Sequence, residues 1–355
     1  GYGGDTRSDI SLKPLNYENN GEKVAFSGGE FQLNADKDGN VVSLSGEAQS
    51  GLVDAVNEYN QKVQITFNNL KTDGSSTLAS FGERIGNQTL SLEKMTVSVE
   101  GKEMAVLEGM VIDGKSDLVN DGKTINSQLD YSLNSLKVQN QDLGSGKLTL
   151  KVGQIDGEAW HQFSRQYNAQ TQALMTQPEV VQNPELYQEK VIEAFFGALP
   201  LLMKGEPVIT VAPLSWKNAK GETALNLSLF LKDPAATTEE PQTLTQEVDR
   251  SVKSLDAKLT IPMDMAVEFM TQVARLEGYQ QEDADKLANQ QVKGLAAMGQ
   301  MFRITTLQDN TIATNLQYAN GQVTLNGQKM TLEEFVGMFG MPALSVPDAP
   351  AIPQQ

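Results

Sequence analysis

Residues 34–45 read NADKDGNVVSLS, and whether they hold a metal or make a turn decides how the rest of the chain is read. Acidic or amide side chains at alternate positions, followed by a glycine, suggest a calcium loop. Such a loop needs D-x-[DN]-x-[DN]-G-x5-E, in which a bidentate Glu in the last place completes the oxygen cage. Here the first residue is the neutral Asn34 and the last is Ser45. The flanks are not helical either. Phe31, Leu33 and Ala35 alternate with polar residues before the loop, as do Val42, Leu44 and Gly46 after it. Period-two alternation is the mark of strands with one buried face. Asp38-Gly39-Asn40 is then a hairpin turn, with Gly39 supplying the positive φ.

The same reading extends outward. Asp-Gly pairs recur at 73–74, 113–114, 121–122 and 156–157. Between them lie alternating segments such as Val63-x-Ile65-x-Phe67, Leu129-x-Tyr131-x-Leu133 and Leu148-x-Leu150-x-Val152. Turn signals at this spacing predict an antiparallel meander over residues 1–143, with one wet face. SSTLASFGERIG (75–86) breaks the alternation and is expected to be a loop or one helical turn.

The periodicity changes near residue 156. EAWHQFSRQYNAQTQALM (158–175) places Trp160, Phe163, Tyr167 and Leu174 on one helical face. PELYQEKVIEAFFGALPLLMK (184–204) begins with the cap-then-proline pair Asn183-Pro184. It is apolar nearly all round in its later half, which predicts burial on more than one side, and Pro200 should end or kink it. Strands follow over 207–217 and 222–232. The plan then repeats: KLTIPM (258–263), helices over 266–276 and 282–302, and strands over 303–328 with an Asn320-Gly321 turn. Residues 144–340 are therefore expected to hold two strand–helix–helix–hairpin units continuing the same sheet. DPAATTEEPQTLTQE (233–247) reads as a solvated loop, Thr331-Leu-Glu-Glu334 as a capping box, and residues 341–355 as a Pro-rich tail.

Composition narrows the function. The chain has 355 residues, 39% of them hydrophobic, and a formal charge of −17. That charge repels phosphate backbones, so nucleic acid is not an expected partner. Without cysteine there is no disulfide, iron–sulfur cluster, thiolate zinc site or Cys nucleophile. No apolar run reaches the ~18 residues of a membrane span. The polar, Gly-rich start, GYGGDTRSD, reads as that of a trimmed fragment.

Catalytic patterns fail in turn. Residues 143–148, LGSGKL, lack both the first glycine and the Ser/Thr of a phosphate loop, and are expected to be a turn into a strand. His161 is the single histidine, which rules out Ser-His-Asp and multi-His sites; it reads as a surface helix residue off the apolar stripe. No catalytic residue, metal ligand or cofactor is assigned, and no enzyme activity is expected. Methionines cluster instead: Met263, Met265, Met270, Met298, Met301, Met330, Met338 and Met341. Methionine lines adaptable apolar surfaces. Filling the core between helices and sheet is its commoner use. The sharper reading is a groove for acyl chains between sheet and helices, lined by Phe195, Phe196, Leu199, Leu202, Met298, Met301 and Phe302.

Several long segments carry a resemblance. SDISLKPLNYE, KVAFSGGEFQLNADKDG, AVNEYNQKVQITFNNLKTDGSSTLASFGERIGNQTLSLEKM and the ending GMPALSVPDAPAIPQQ are similar to the YdgA-like family of enterobacterial proteins, over the whole chain. The resemblance implies an envelope protein of unassigned function, periplasmic and held to the inner membrane by an N-terminal segment that this chain lacks. It supplies no catalytic residues. A looser likeness to AsmA-like proteins, whose long curved sheets are linked to lipid transport, raises the expectation of an apolar groove.

The expected fold is α+β: a large, twisted antiparallel sheet with helices packed on its apolar face. Two functions are expected. One is a non-enzymatic envelope protein that binds a lipid acyl chain. The other is a scaffold with a closed core that joins other envelope proteins, with self-association as a further expectation.

Overall fold

The computed structural model describes residues 4–340. Ten strands come first: β1 (Thr6–Leu12), β2 (Leu15–Asn19), β3 (Glu22–Phe26), β4 (Gly29–Ala35), β5 (Val41–Val56), β6 (Lys62–Leu78), β7 (Arg84–Val99), β8 (Lys102–Val119), β9 (Thr124–Val138) and β10 (Gln141–Asp156). Helices α1 (Gly157–Met175), α2 (Pro178–Val181) and α3 (Pro184–Leu202) follow, then β11 (Val208–Asn218) and β12 (Gly221–Leu231). Next come α4 (Leu244–Ser251), β13 (Val252–Pro262), α5 (Met263–Leu276) and α6 (Gln281–Met301). The described chain closes with β14 (Thr306–Gln308), β15 (Thr311–Ala319), β16 (Gln322–Leu325), β17 (Gln328–Thr331) and α7 (Leu332–Gly337). The expected tail, 341–355, lies outside the described residues.

All seventeen strands join one sheet, and each pairing is antiparallel. From β4 to β13 each strand pairs with the next in sequence. At one edge β1 pairs with β4, and the β2–β3 hairpin pairs with the other half of β5. At the far edge β13 pairs with β15, which carries β14 and β16 on its other side. The turn in the opening stretch is as read: Asp36 N–H donates to Val41 C=O at 3.0 Å, and Gly39 has φ +69°.

Three of the expected Asp-Gly turns are not hairpin turns. Asp156-Gly157 passes from β10 directly into α1, with Asp156 Oδ2 accepting from Ala159 N–H at 2.9 Å. Asp73-Gly74 and Asp113-Gly114 lie inside β6 and β8, strands of 17 and 18 residues. Residues 75–86 are mostly strand, reversed by a tight turn at 79–83. Residues 143–148 sit within a bulged part of β10 rather than before it. A Cβ on Gly144 would lie 1.9 Å from the Lys217 carbonyl oxygen, so the bulge demands glycine.

A row of irregular positions crosses the long strands. Asn69 (φ +55°) and Gly109 (φ +68°) are left-handed. The Asn69 amide donates to Glu93 of the next strand, and Asn134 packs where Gly109 would carry a Cβ. A left-handed residue shifts the in–out alternation by one. On one side of the row the apolar positions are even-numbered (Leu70, Leu90, Leu92); on the other they are odd-numbered (Phe67, Met95, Val97).

The helices do not cover the sheet as expected. α1 caps strand ends, where Trp160 and Ile155 pack on Ala79, Phe81, Ile85 and Ile125. α3 packs on α1 and is not buried on several sides: Ile192 is 54% and Phe196 62% exposed. α5 lies across one end of β10–β13, fixed by Gln272 Nε2 to the Asp142 carbonyl at 2.7 Å and by Asn218 Nδ2 to the Met265 carbonyl at 3.0 Å. α4, whose residues were expected to form part of a loop, joins α7 over β15–β17 around Tyr318, Val323 and Leu325. The Tyr318 hydroxyl donates to the Asp249 carboxylate; burial and that carboxylate hold its pKa above the usual phenol range. Of the expected capping box, the Thr331 half is present, with Glu334 N–H donating to Thr331 Oγ1 at 3.1 Å.

Candidate ligand-binding surface

The seven candidate groove residues separate into two sets. Successive pairings from β10 to β13 are antiparallel, so the C-terminal ends of β10 and β13 point to opposite ends of the sheet. α1 leaves from one end and α5 from the other. The 11 residues of β13 span roughly 36 Å at 3.3 Å per residue. Phe195, Phe196, Leu199 and Leu202 therefore belong to one end, and Met298, Met301 and Phe302 to the other. Within the first set Phe195 meets Phe163 edge-on at 5.7 Å and Phe196 at 5.6 Å, while Leu199 and Leu202 are half-buried. In the second set Met298, Met301 and Phe302 all face solvent. The two sets do not line one groove.

The concave apolar feature lies on the sheet itself. Register places Val42 and Leu44 of β5 beside Ser76 and Gly74 of β6. Beyond them stand Gly86 and Gln88 of β7, Gly114 and Ser116 of β8, and Leu129 and Ser127 of β9. Leu150 and Val152 of β10 close the row. Together they line an open trough of about 560 Å³, within the ~300–1,000 Å³ range of small-ligand sites. Three floor positions carry no side chain, and they serve different ends: Gly74 and Gly86 let neighbouring atoms approach closely, while Gly114 leaves open space. At Gly74 and Gly86 nothing larger fits: a Cβ would meet Asn87 O at 2.3 Å and Ser75 O at 2.0 Å, respectively. At Gly114 the nearest atom to an added Cβ is Leu129 Cδ1, at 3.6 Å, so the space there is free.

The apolar face continues past the trough. Leu150 and Val152 are followed by Val211 and Ile209, then by Leu227 and Leu229, then by Ala257 and Leu255. From Leu150 to Leu229 these side chains are only half-buried. The opposite face is polar. There Asp113 and Asp130 stand directly across from each other, bonded by Thr89 Oγ1 at 2.9 Å and Thr149 Oγ1 at 2.6 Å, respectively. The Thr149 hydroxyl, outweighing partial burial and helped by Gln128, Lys115 and Lys151, holds the Asp130 carboxyl below its usual range. His161, expected at the surface, is half-buried, with Nδ1 3.0 Å from Glu83 Oε1. It ties α1 to the β6–β7 turn.

Sequence reasoning missed the trough residues. Their signal was present: glycines at 74, 86 and 114 within alternating segments mark close backbone approach or an absent side chain.

Residues 1–333 match a family described as "Bacterial protein of unknown function (DUF945)". The chain belongs to this family. It is 83% identical over 355 residues to "Protein YdgA" of Escherichia coli (strain K12), covering 100% of this chain and 71% of that protein. It is 32% identical over 341 residues to "Uncharacterized protein YihF" of the same organism, covering 96% of this chain and 68% of that protein.

Proposed function

We propose that this DUF945 protein is a non-enzymatic envelope protein that holds an apolar chain, such as a lipid acyl chain, in the trough across β5–β10. The observation that carries the reading is the glycine floor between aliphatic walls. Val42, Leu44, Leu129, Leu150 and Val152 offer apolar contact on both sides, and Gly114 leaves room between them. Burying apolar surface there returns about 25 cal/mol per Å². Ser76, Ser116, Ser127 and Gln88 alternate with the glycines along the floor and can meet a polar group or water. The site thus differs from the groove expected between sheet and helices: the sheet alone forms it.

The test is a titration with a fluorescent fatty acid. Gly114→Leu directs a side chain into the trough from a position where the Cβ makes only ordinary contacts, 3.6 Å to Leu129 Cδ1 and 3.9 Å to the Gln88 carbonyl. It should weaken binding at least tenfold and leave the urea midpoint within error of the parent. Equal binding by both proteins would remove the trough from the account. The scaffold reading keeps one observation in its favour: among the described residues, β1 pairs along one edge only, with β4, and is exposed throughout. A parent protein that binds no acyl chain, yet associates through β1, would favour that reading.

A further inference from the structure

The trough carries a cation on its own face. Arg84 stands two residues before Gly86 in β7, so its side chain shares the face of the glycine floor. Its Nη1 donates to the Asn40 carbonyl at 3.3 Å and to Ser76 Oγ at 3.4 Å, and its Nη2 donates to the Gly39 carbonyl at 2.5 Å. These bonds hold the guanidinium between the β4–β5 turn and the floor. A guanidinium has five N–H donors, so two stay free. Among the described residues Arg84 makes no ion pair. Lys115 also borders the trough, but alternation sets its side chain on the polar face with Asp113. No Asp or Glu lines the trough, although the chain carries 45 acidic residues. Other hollows on the sheet do hold acids: Asp73 in one, Asp113 in a second, Asp117 in a third and Asp36 in a fourth.

Polarity changes across the strands as well. Over β6–β8 the floor is Gly, Ser and Gln. From β9 onward it is aliphatic, with Leu129, Leu150, Val211, Leu227 and Ala257 as successive neighbours. That row crosses four strand spacings, roughly 19 Å at ~4.8 Å each. One acyl chain needs about 15 Å, half of the ~30 Å hydrocarbon core of a bilayer. We infer that the ligand of the trough is an anionic amphiphile, with its carboxylate or phosphate head on Arg84 and Ser76 and its hydrocarbon chain laid across β9–β13. The inference rests on the trough as the binding site and adds the charge and direction of what it holds. Arg meets either oxyanion through paired N–H donors, and such charge-assisted bonds are stronger than neutral ones. Ser76 Oγ accepts from Arg84 and keeps its own proton for a head-group oxygen.

The test compares pyrene-labelled hexadecanoic acid with its methyl ester, which has the same chain and no charge. The parent should bind the acid at least tenfold more tightly at low salt, and the ratio should shrink as salt rises. Arg84→Gln should bring the ratio close to one, whereas Arg84→Lys should keep a preference for the acid. Lys102→Gln, the same loss of charge outside the trough, should keep the full ratio. Lysophosphatidic acid against monoacylglycerol repeats the comparison with phosphate, and the tighter of the two acids identifies the head group. The ratio in the parent needs no variant, so it decides the matter even where Arg84→Gln loosens the β4–β5 turn. Acid and ester bound equally by the parent, or a ratio that Arg84→Gln leaves unchanged, would overturn the head-group assignment and leave the trough in place. Binding of neither acid nor neutral ligand would remove the trough itself, and this inference with it.

Discussion

Gly74, Gly86 and Gly114 share one face of the sheet but differ in what they tolerate. Ala at Gly74 or Gly86 would drive a methyl into backbone at 2.3 and 2.0 Å, respectively. Either change should destabilise the protein by about 1–3 kcal/mol, through overpacking, measurable as a lower urea midpoint. Gly114→Leu should not. Asp130 supplies a second prediction at this scale. Its folded pKa is depressed, chiefly by the Thr149 hydroxyl. A depressed carboxylate contributes stability above the unfolded value, ~3.9, and loses it as pH falls through the lower folded value. Thr149→Val should raise the Asp130 pKa toward the ordinary value and shift acid unfolding to higher pH. Carboxyl-carbon NMR titration follows the first effect and circular dichroism the second.

At the scale of elements, the α1–α3 hairpin is held mainly by its own aromatic contacts. Phe163 is buried, 5.6 Å from Trp160, 5.8 Å from Tyr167 and 5.7 Å from Phe195, ring centre to ring centre. Phe163→Ala should cost about 3–5 kcal/mol locally. Because α1 touches the sheet chiefly at its first turn, amide exchange should accelerate in α1–α3 while β5–β9 stay protected. Much of the element order was legible. Alternation revealed the strands, Asn183-Pro184 marked the start of α3, and Thr331 marked the cap of α7. The errors have physical causes. Asp-Gly at 73–74 and 113–114 resembles a turn because glycine serves turns and flat floors alike; only cross-strand register separates the two uses. The later half of α3 is apolar nearly all round, but α1 covers only one side of it, and composition does not count neighbours. α4 was missed although Thr243 and Gln246 form its capping pair, with Gln246 N–H donating to Thr243 Oγ1 at 3.1 Å.

The whole molecule is open. Its accessible surface is 22128 Å² at 38.6 kDa, against about 14,000 Å² for a compact monomer of that mass. The buried clusters are small and separate: one under the start of α1, one between α5 and α6, and one under α4 and α7. Between them the aliphatic face of β5–β12 stays half-covered, which makes the trough accessible. X-ray scattering should therefore give a radius of gyration clearly above the roughly 20 Å of a compact chain this long. A value near 20 Å would mean that the sheet closes on itself in solution. The seventeen-strand order was only partly legible from sequence, because it depends on which strand neighbours which. The candidate site was less legible still, because its walls come from strands more than one hundred residues apart.

The central claim is that the glycine-floored trough holds an apolar chain, and native mass spectrometry of protein prepared without detergent tests it most directly. The account predicts a stoichiometric lipid-sized adduct on the parent protein after exposure to lipid vesicles, absent from Gly114→Leu. A parent mass without adduct, unchanged after such exposure, or an adduct retained in full by Gly114→Leu, would contradict it.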